Sequence, residues 1–224
     1  MQRLAIYDMD RTITHAPTWT PFLWGTMRRH APWRMILVPA AVIAAFGYLA
    51  RVIDRARLKQ TMQRLLLGGS LAPEAVEAAA EAFAERVTAT GVFAGARERI
   101  AADRAAGYRL VMATASYRFY VGAIADRLGF DDVIATEAEI DETGRLYARM
   151  VGDNVYGPAK LAAIEAWLAR EGIDRADCHI RFYSDHVSDA PVLGWADEPF
   201  AVNAHGPLRA LARKRGWPIV DWER

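Results

Sequence analysis

The sequence predicts an α/β fold: a parallel sheet with helices on both faces, and a helical block inserted after the first strand. Short apolar runs closed by polar residues alternate with helical patterns over most of the chain, and that alternation is the mark of parallel strand–helix–strand units. The interval from about 14 to 90 breaks the rhythm and contains no convincing strand. At 224 residues the chain is long enough for one core domain carrying an insert.

The strands are read from apolar runs of a length that fits buried strands. They are 4–7 closed by Asp8, 110–113 closed by Thr114, 133–136, 180–183 closed by Ser184 and Asp185, and a fifth candidate at 200–202. Helical patterns fill the gaps: 94–106 before Gly107, 120–128 before Gly129 and 159–170 shortly before Gly172. Residues 140–149, with Glu142-Thr143-Gly144 between alternating positions, read as a small hairpin. The interval 14–90 reads as helices over 17–30, 32–51, 54–67 and 73–88, the last with Ser70 as a start signal. The expected division is therefore a core of 1–13 and 91–224 with a helical cap at 14–90.

Composition excludes several classes. The chain is 53% hydrophobic and 25% charged, which excludes wholesale disorder. A net charge of +1 provides no global field for nucleic acid. The single cysteine, Cys178, excludes an internal disulfide framework and fits a reducing compartment. Acidic residues within the first ten positions argue against a secretory signal peptide. A cytoplasmic protein, soluble or peripheral on the membrane's inner face, is expected.

Ligands of open α/β sheets bind at the carboxyl ends of the strands. There the sequence places Asp8-Met9-Asp10-Arg11-Thr12, then Thr114-Ala115-Ser116, then Asp185 to Asp189, with Lys160 opening a helix before the fourth strand. Carboxylates, a hydroxyl and an ammonium at one edge suit phosphoryl transfer. One carboxylate can attack phosphorus, the hydroxyl and ammonium can hold its oxygens, and the other carboxylates can bind Mg²⁺.

These four motifs, in this order, resemble those of haloacid dehalogenase (HAD) superfamily phosphatases, specifically subfamily IB, whose helical cap follows the first motif. The matches are DxDx[TV] at Asp8 to Thr12, the strand-ending Thr114, Lys160, and DxxxD at Asp185 and Asp189. The resemblance implies a Rossmann-like core and an aspartyl-phosphate mechanism, with Asp8 as nucleophile and Asp10 as general acid and base. Thr114 and Lys160 would bind the phosphoryl group. Asp8, the carbonyl of Asp10 and Asp185 would ligate Mg²⁺, and Asp189 would add or orient a ligand. The second aspartate speaks against a dehalogenase.

Substrate choice should rest with the cap. Phosphoserine phosphatases present a Glu shortly after the first motif, and residues 13–19 here contain no acid. Residues 35–50 are sixteen positions without a charge. As a helix they would span roughly 24 Å, short of the roughly 30 Å hydrocarbon core. Their flanks carry Arg28, Arg29, Arg34, Arg51, Arg55, Arg57 and Lys59, with Trp19, Trp24 and Trp33 upstream. That pattern fits either an anionic membrane surface or a buried cap helix. A similar apolar cap segment occurs in relatives acting on phosphatidylglycerophosphate. The expected substrate is thus a lipid phosphomonoester, with a soluble metabolite phosphate as the alternative.

Overall fold

The computed structural model describes residues 1–222. Among these residues the strands are β1 (Gln2–Tyr7), β2 (Ser70–Leu71), β3 (Arg109–Tyr117), β4 (Asp132–Ile140), β5 (Leu146–Val151), β6 (Cys178–Ser184), β7 (Glu198–Val202) and β8 (Ile219–Val220). They form one sheet in the order β2-β5-β4-β3-β1-β6-β7-β8. From β4 to β8 all pairings are parallel; β5 and β2 add an antiparallel edge.

The period-2 geometry of a strand sends alternate residues to opposite faces. Leu4 and Ile6 join Val111, Ile180 and Phe182 in a core covered by α7 (Pro158–Arg170), α8 (Ala190–Trp195) and α9 (Gly206–Arg215). Ala5 and Tyr7 join Leu110, Met112 and Tyr183 under α5 (Ala94–Ala105) and α6 (Arg118–Leu128). With both faces covered, β1 is apolar without interruption, as parallel strands are. β1 lies between β3 and β6, where strand order runs outward in both directions and a crevice opens at the carboxyl ends.

Between β1 and α5 lie α1 (Trp19–His30), a 3-10 segment (Pro32–Leu37), α2 (Val38–Leu49), α3 (Arg55–Leu66) and α4 (Pro73–Thr90). The chain enters and leaves this block at one seam. His15 N–H donates to the Gly91 carbonyl at 2.9 Å and Phe93 N–H to the Ile13 carbonyl at 3.0 Å. In α1 the buried Trp19, Phe22, Leu23 and Met27 follow helical spacing, and Phe22 stacks on Tyr120 of α6 at 4.5 Å. Asp54 caps α3 by accepting from the Arg57 N–H at 2.7 Å.

The structure departs from the sequence reading at four points. The interval 14–90 does contain a strand, β2, paired with Leu146 and Tyr147 of the hairpin. It is only two residues long, too short to show a period. Ser70 belongs to that strand, so α4 starts at Pro73 after Ala72, without a side-chain cap. The single helix expected over 32–51 is a 3-10 segment followed by α2, with Pro39 in the first turn of α2, where a missing N–H is harmless. Finally, of the two readings open for residues 35–50, a buried cap helix is not what forms: Ala41 is the one buried residue of α2.

Candidate active site

The loop after β1 is a tight turn. Ile13 and Thr14 N–H groups both donate to the Met9 carbonyl, and Arg11 at its apex takes φ 62°. A non-glycine residue there is uncommon and marks a turn held by its surroundings. The turn places Asp8 and Asp10 at the crevice on one side and returns Thr12 beneath them. Thr12 Oγ1 donates to Asp8 Oδ2 at 3.3 Å and accepts from the Asp185 N–H at 3.0 Å, tying the ends of β1 and β6 together.

Lys160 reaches this point from the first turn of α7. Gly157, at φ 62° and ψ −131°, precedes Pro158 and turns the chain into the helix in a conformation that L side chains rarely adopt. The Lys160 ammonium is buried and donates to Asp8 Oδ1 at 2.8 Å and Asp189 Oδ2 at 2.7 Å. Ser184 Oγ also donates to Asp189 Oδ2, at 2.7 Å. Burial opposes the charge of Lys160, but Asp189 and Asp8 outweigh it, so its pKa is raised and it stays cationic. Burial pushes the Asp8 carboxyl up to about 6, with Lys160 pulling it down and Asp189 pushing it further up.

Asp10 points elsewhere. Its Oδ1 accepts from Thr18 N–H at 2.9 Å and Thr18 Oγ1 at 2.8 Å, and its Oδ2 accepts from Ser116 Oγ at 3.0 Å. Its pKa is raised by burial, against the pull of these hydrogen bonds and of Lys59. Thr114 is buried inside β3, which runs on to Tyr117 past an irregularity in register instead of ending at Thr114 as the sequence suggests, and it accepts the Ser116 N–H on Oγ1 at 3.1 Å. Asp8, Asp10, Thr114, Lys160, Asp185 and Asp189 all line one open cavity of about 300 Å³. The structure therefore brings the six sequence-derived candidates together.

Asp185 tests whether a divalent cation fits. Its backbone is fixed, with the N–H on Thr12 and the carbonyl accepting from His205 Nδ1 at 2.8 Å. Its carboxyl is raised to about 7, chiefly by burial and then by the charge of Asp8. Two nearly buried carboxylates facing each other, with the one nearby ammonium already bonded to Asp8 and Asp189, call for another cation. Asp189 Oδ1 is also buried without a hydrogen-bond partner among the described residues. The donors are hard oxygens, suiting Mg²⁺ rather than a softer metal. No group of three or more acidic, His or Cys side chains surrounds one point among the described residues. Asp8, Asp185 and the Asp10 carbonyl would thus be the protein's share, since Mg²⁺ commonly keeps several waters.

With this geometry in place, the comparison with known families is decisive. Residues 5–194 match the haloacid dehalogenase-like hydrolases. The chain belongs to that family. Phosphoserine phosphatase SerB1 of Mycobacterium tuberculosis is 29% identical to this HAD protein over 221 residues, 97% of this chain and 70% of that one. A protein of unknown function from Bordetella pertussis Tohama I has a TM-score of 0.86 and 26% identity, covering 99% of each chain. A phospho-aspartyl intermediate analogue of phosphoserine phosphatase has a TM-score of 0.61 at 20% identity, covering 100% of this chain and 94% of that one, a likeness of fold.

Sequence reasoning missed two residues of the site in this HAD chain. Lys59, counted above among the basic flanks of residues 35–50, is buried. Its ammonium donates to the Ala115 carbonyl, donates to Asn154 Oδ1 at 2.9 Å, and lies 4.8 Å from the centre of the Tyr117 ring. Burial lowers its pKa to about 7, the charge of Asp10 opposing that shift and Arg55 adding to it. The available signal was its position: Lys59, Gln63 and Leu66 share the inward face of α3 at i, i+4, i+7. The second is His205, which holds the Asp185 carbonyl and stacks on His186 at 4.3 Å. Nothing in its sequence neighbourhood indicated that.

Proposed function

We propose that this HAD protein is a Mg²⁺-dependent phosphomonoester hydrolase working through an aspartyl-phosphate on Asp8. The observation that carries the reading is the Lys160 ammonium, from the first turn of α7, shared between Asp8 after β1 and Asp189 before α8. At neutral pH a carboxyl raised to about 6 is ionised yet more basic than an ordinary aspartate, a good state for a nucleophile. Its oxygen would bond to phosphorus as the bond to the leaving oxygen breaks. Asp10, held toward its protonated form, would deliver a proton to that oxygen. It would then take a proton from water as the water attacks phosphorus and releases Asp8. Thr114 and Lys160 would hold the transferring oxygens. Bound Mg²⁺ would supply charge neutralisation between phosphate and carboxylates. Residues 14–90 would act as the cap, with Arg55 of α3 lining the cavity and Lys59 buried on the Ala115 carbonyl and Asn154, where its charge acts on Asp10.

For the substrate we favour a membrane lipid with a terminal phosphomonoester, such as phosphatidylglycerophosphate. The absence of an acid in residues 13–19 and the apolar segment after α1 support this. A soluble small phosphate is the second reading. It is favoured by Arg55, which lies 4.0 Å over the Tyr156 ring beside the cavity and could hold a carboxylate. Phosphate release with Mg²⁺ from phosphatidylglycerophosphate in micelles, beside phosphoserine and other soluble esters, separates them. Good turnover of soluble esters with none of the lipid would sink the lipid reading.

A further inference from the structure

α2 is built inside out. A helix on a soluble protein turns its large apolar residues inward. Here Val42, Ile43, Phe46 and Leu49, at helical spacing, face solvent, and small Ala41 faces the protein. Phe46 is 64% exposed and Leu49 72%, and the stripe continues into Ile36 at 75% and Val52 at 77%. Trp33, also exposed, stands at its other end. Such a contiguous apolar surface marks an interaction site.

The segment lies flat on the molecule. Pro32–Leu49, the 3-10 segment and α2 together, has a mean hydropathy of 1.5 over 18 residues, at the lower limit for a membrane-crossing helix. Yet Arg34, inside it, donates to the Arg64 and Leu65 carbonyls at the end of α3, at 3.2 and 3.0 Å. α2 itself packs along α3. Charge then selects the occupant. Residues 28–53, which flank and contain α2, hold four arginines, Arg28, Arg29, Arg34 and Arg51, and no acid, in a chain whose net charge is only +1. A second copy would meet this face through a two-fold contact and set the arginine rim against itself. An anionic lipid surface offers an apolar layer beneath a negative one, matching stripe and rim together.

We propose that the exposed face of α2, with Ile36 and Trp33 before it and Val52 after it, is a docking surface for an anionic bilayer. It deepens the lipid reading of the active site and rests on it for its purpose. The chain itself brings face and site together: Arg55, at the cavity, follows Val52 by three residues, a Cα separation of at most about 11 Å. A docked molecule therefore holds its cavity mouth beside the headgroups.

The test uses the full chain and vesicles of phosphatidylglycerol and phosphatidylcholine in equal parts, containing no phosphomonoester lipid. Co-sedimentation is expected with these vesicles, much less with phosphatidylcholine alone, and less at high salt. Ile43→Glu and Phe46→Glu should each weaken it by on the order of tenfold or more. Both variants should keep wild-type hydrolysis of an aryl phosphate, which shows that they fold. Equal sedimentation of wild type and variants overturns the proposal. So does a solution dimer that Phe46→Glu dissociates, because the face is then taken by a second copy. Docking without lipid turnover refutes the lipid reading alone, and lipid turnover without docking refutes the docking alone.

Discussion

Asp103 and the cavity aspartates are buried against the same two strands, β1 and β6, and they are treated in opposite ways. Asp103 on α5, 1% exposed, is saturated. Its Oδ2 accepts from Tyr7 Oη at 2.5 Å and Tyr183 Oη at 2.7 Å, and its Oδ1 accepts from Arg181 at 2.7 Å. Asp8 and Asp189 share the single Lys160 ammonium, while the Asp185 carboxyl bonds to no cation among the described residues and is pushed up by burial and by Asp8 rather than stabilised. A buried carboxylate with every oxygen answered fixes a fold. One left with excess negative charge holds a site ready for a cation and a phosphoryl group.

The largest effect expected from this contrast is at Asp8. Asp8→Asn should lower phosphate release by on the order of 10⁴-fold or more while leaving thermal stability without Mg²⁺ the same or higher. Kinetics beside a melting curve check both halves. Asp103→Asn should do the reverse. Loss of an acceptor for two phenols and a guanidinium should cost about 3 kcal/mol in denaturant unfolding, with turnover per folded molecule unchanged.

Asp185→Asn sharpens the comparison further. Activity at fixed Mg²⁺ should fall on the order of 10²-fold. Mg²⁺ should raise the wild-type Tm, but not that of the variant. A variant whose Tm still rises with Mg²⁺ as in wild type would place the cation elsewhere.

The smallest effect concerns Lys59, a buried cation with a pKa near 7 against 10.5 when unfolded. Between those values the unfolded chain binds more protons than the native one, so this residue makes stability rise with pH. Below about pH 7 it is charged in both states and its burial cost is fully present. Above 10.5 it is neutral in both and that cost is gone. Denaturant titrations from pH 7 to 10 should therefore show a slope up to about 1 kcal/mol per pH unit steeper in wild type than in Lys59→Met.

How far the sequence was legible follows from how local each signal is. Strand ends could be read because apolar runs such as 4–7 and 180–183 stop at polar residues, and the site residues lie at those stops. Helix α3 could be read, and its spacing groups Lys59 with Gln63 and Leu66, but that this face meets β5 and the Ala115 carbonyl is decided by the tertiary fold. β8 and α9 were not read: a two-residue strand shows no period, and α9 buries only Leu208 and Ala212 in a basic sequence. The exposure of α2 was equally hidden. Its apolar residues are those of a core helix, and only the fold shows that the larger ones point away from it.

The central claim is that Asp8 carries the phosphoryl group. The direct measurement is borohydride reduction of enzyme quenched during turnover of an aryl phosphate with Mg²⁺, followed by peptide mass spectrometry. The account predicts homoserine in place of Asp8, formed by reduction of the acyl phosphate, and none in enzyme quenched without substrate. Sustained phosphate release with Asp8 unmodified under trapping conditions, or with reduction at another carboxylate, contradicts it.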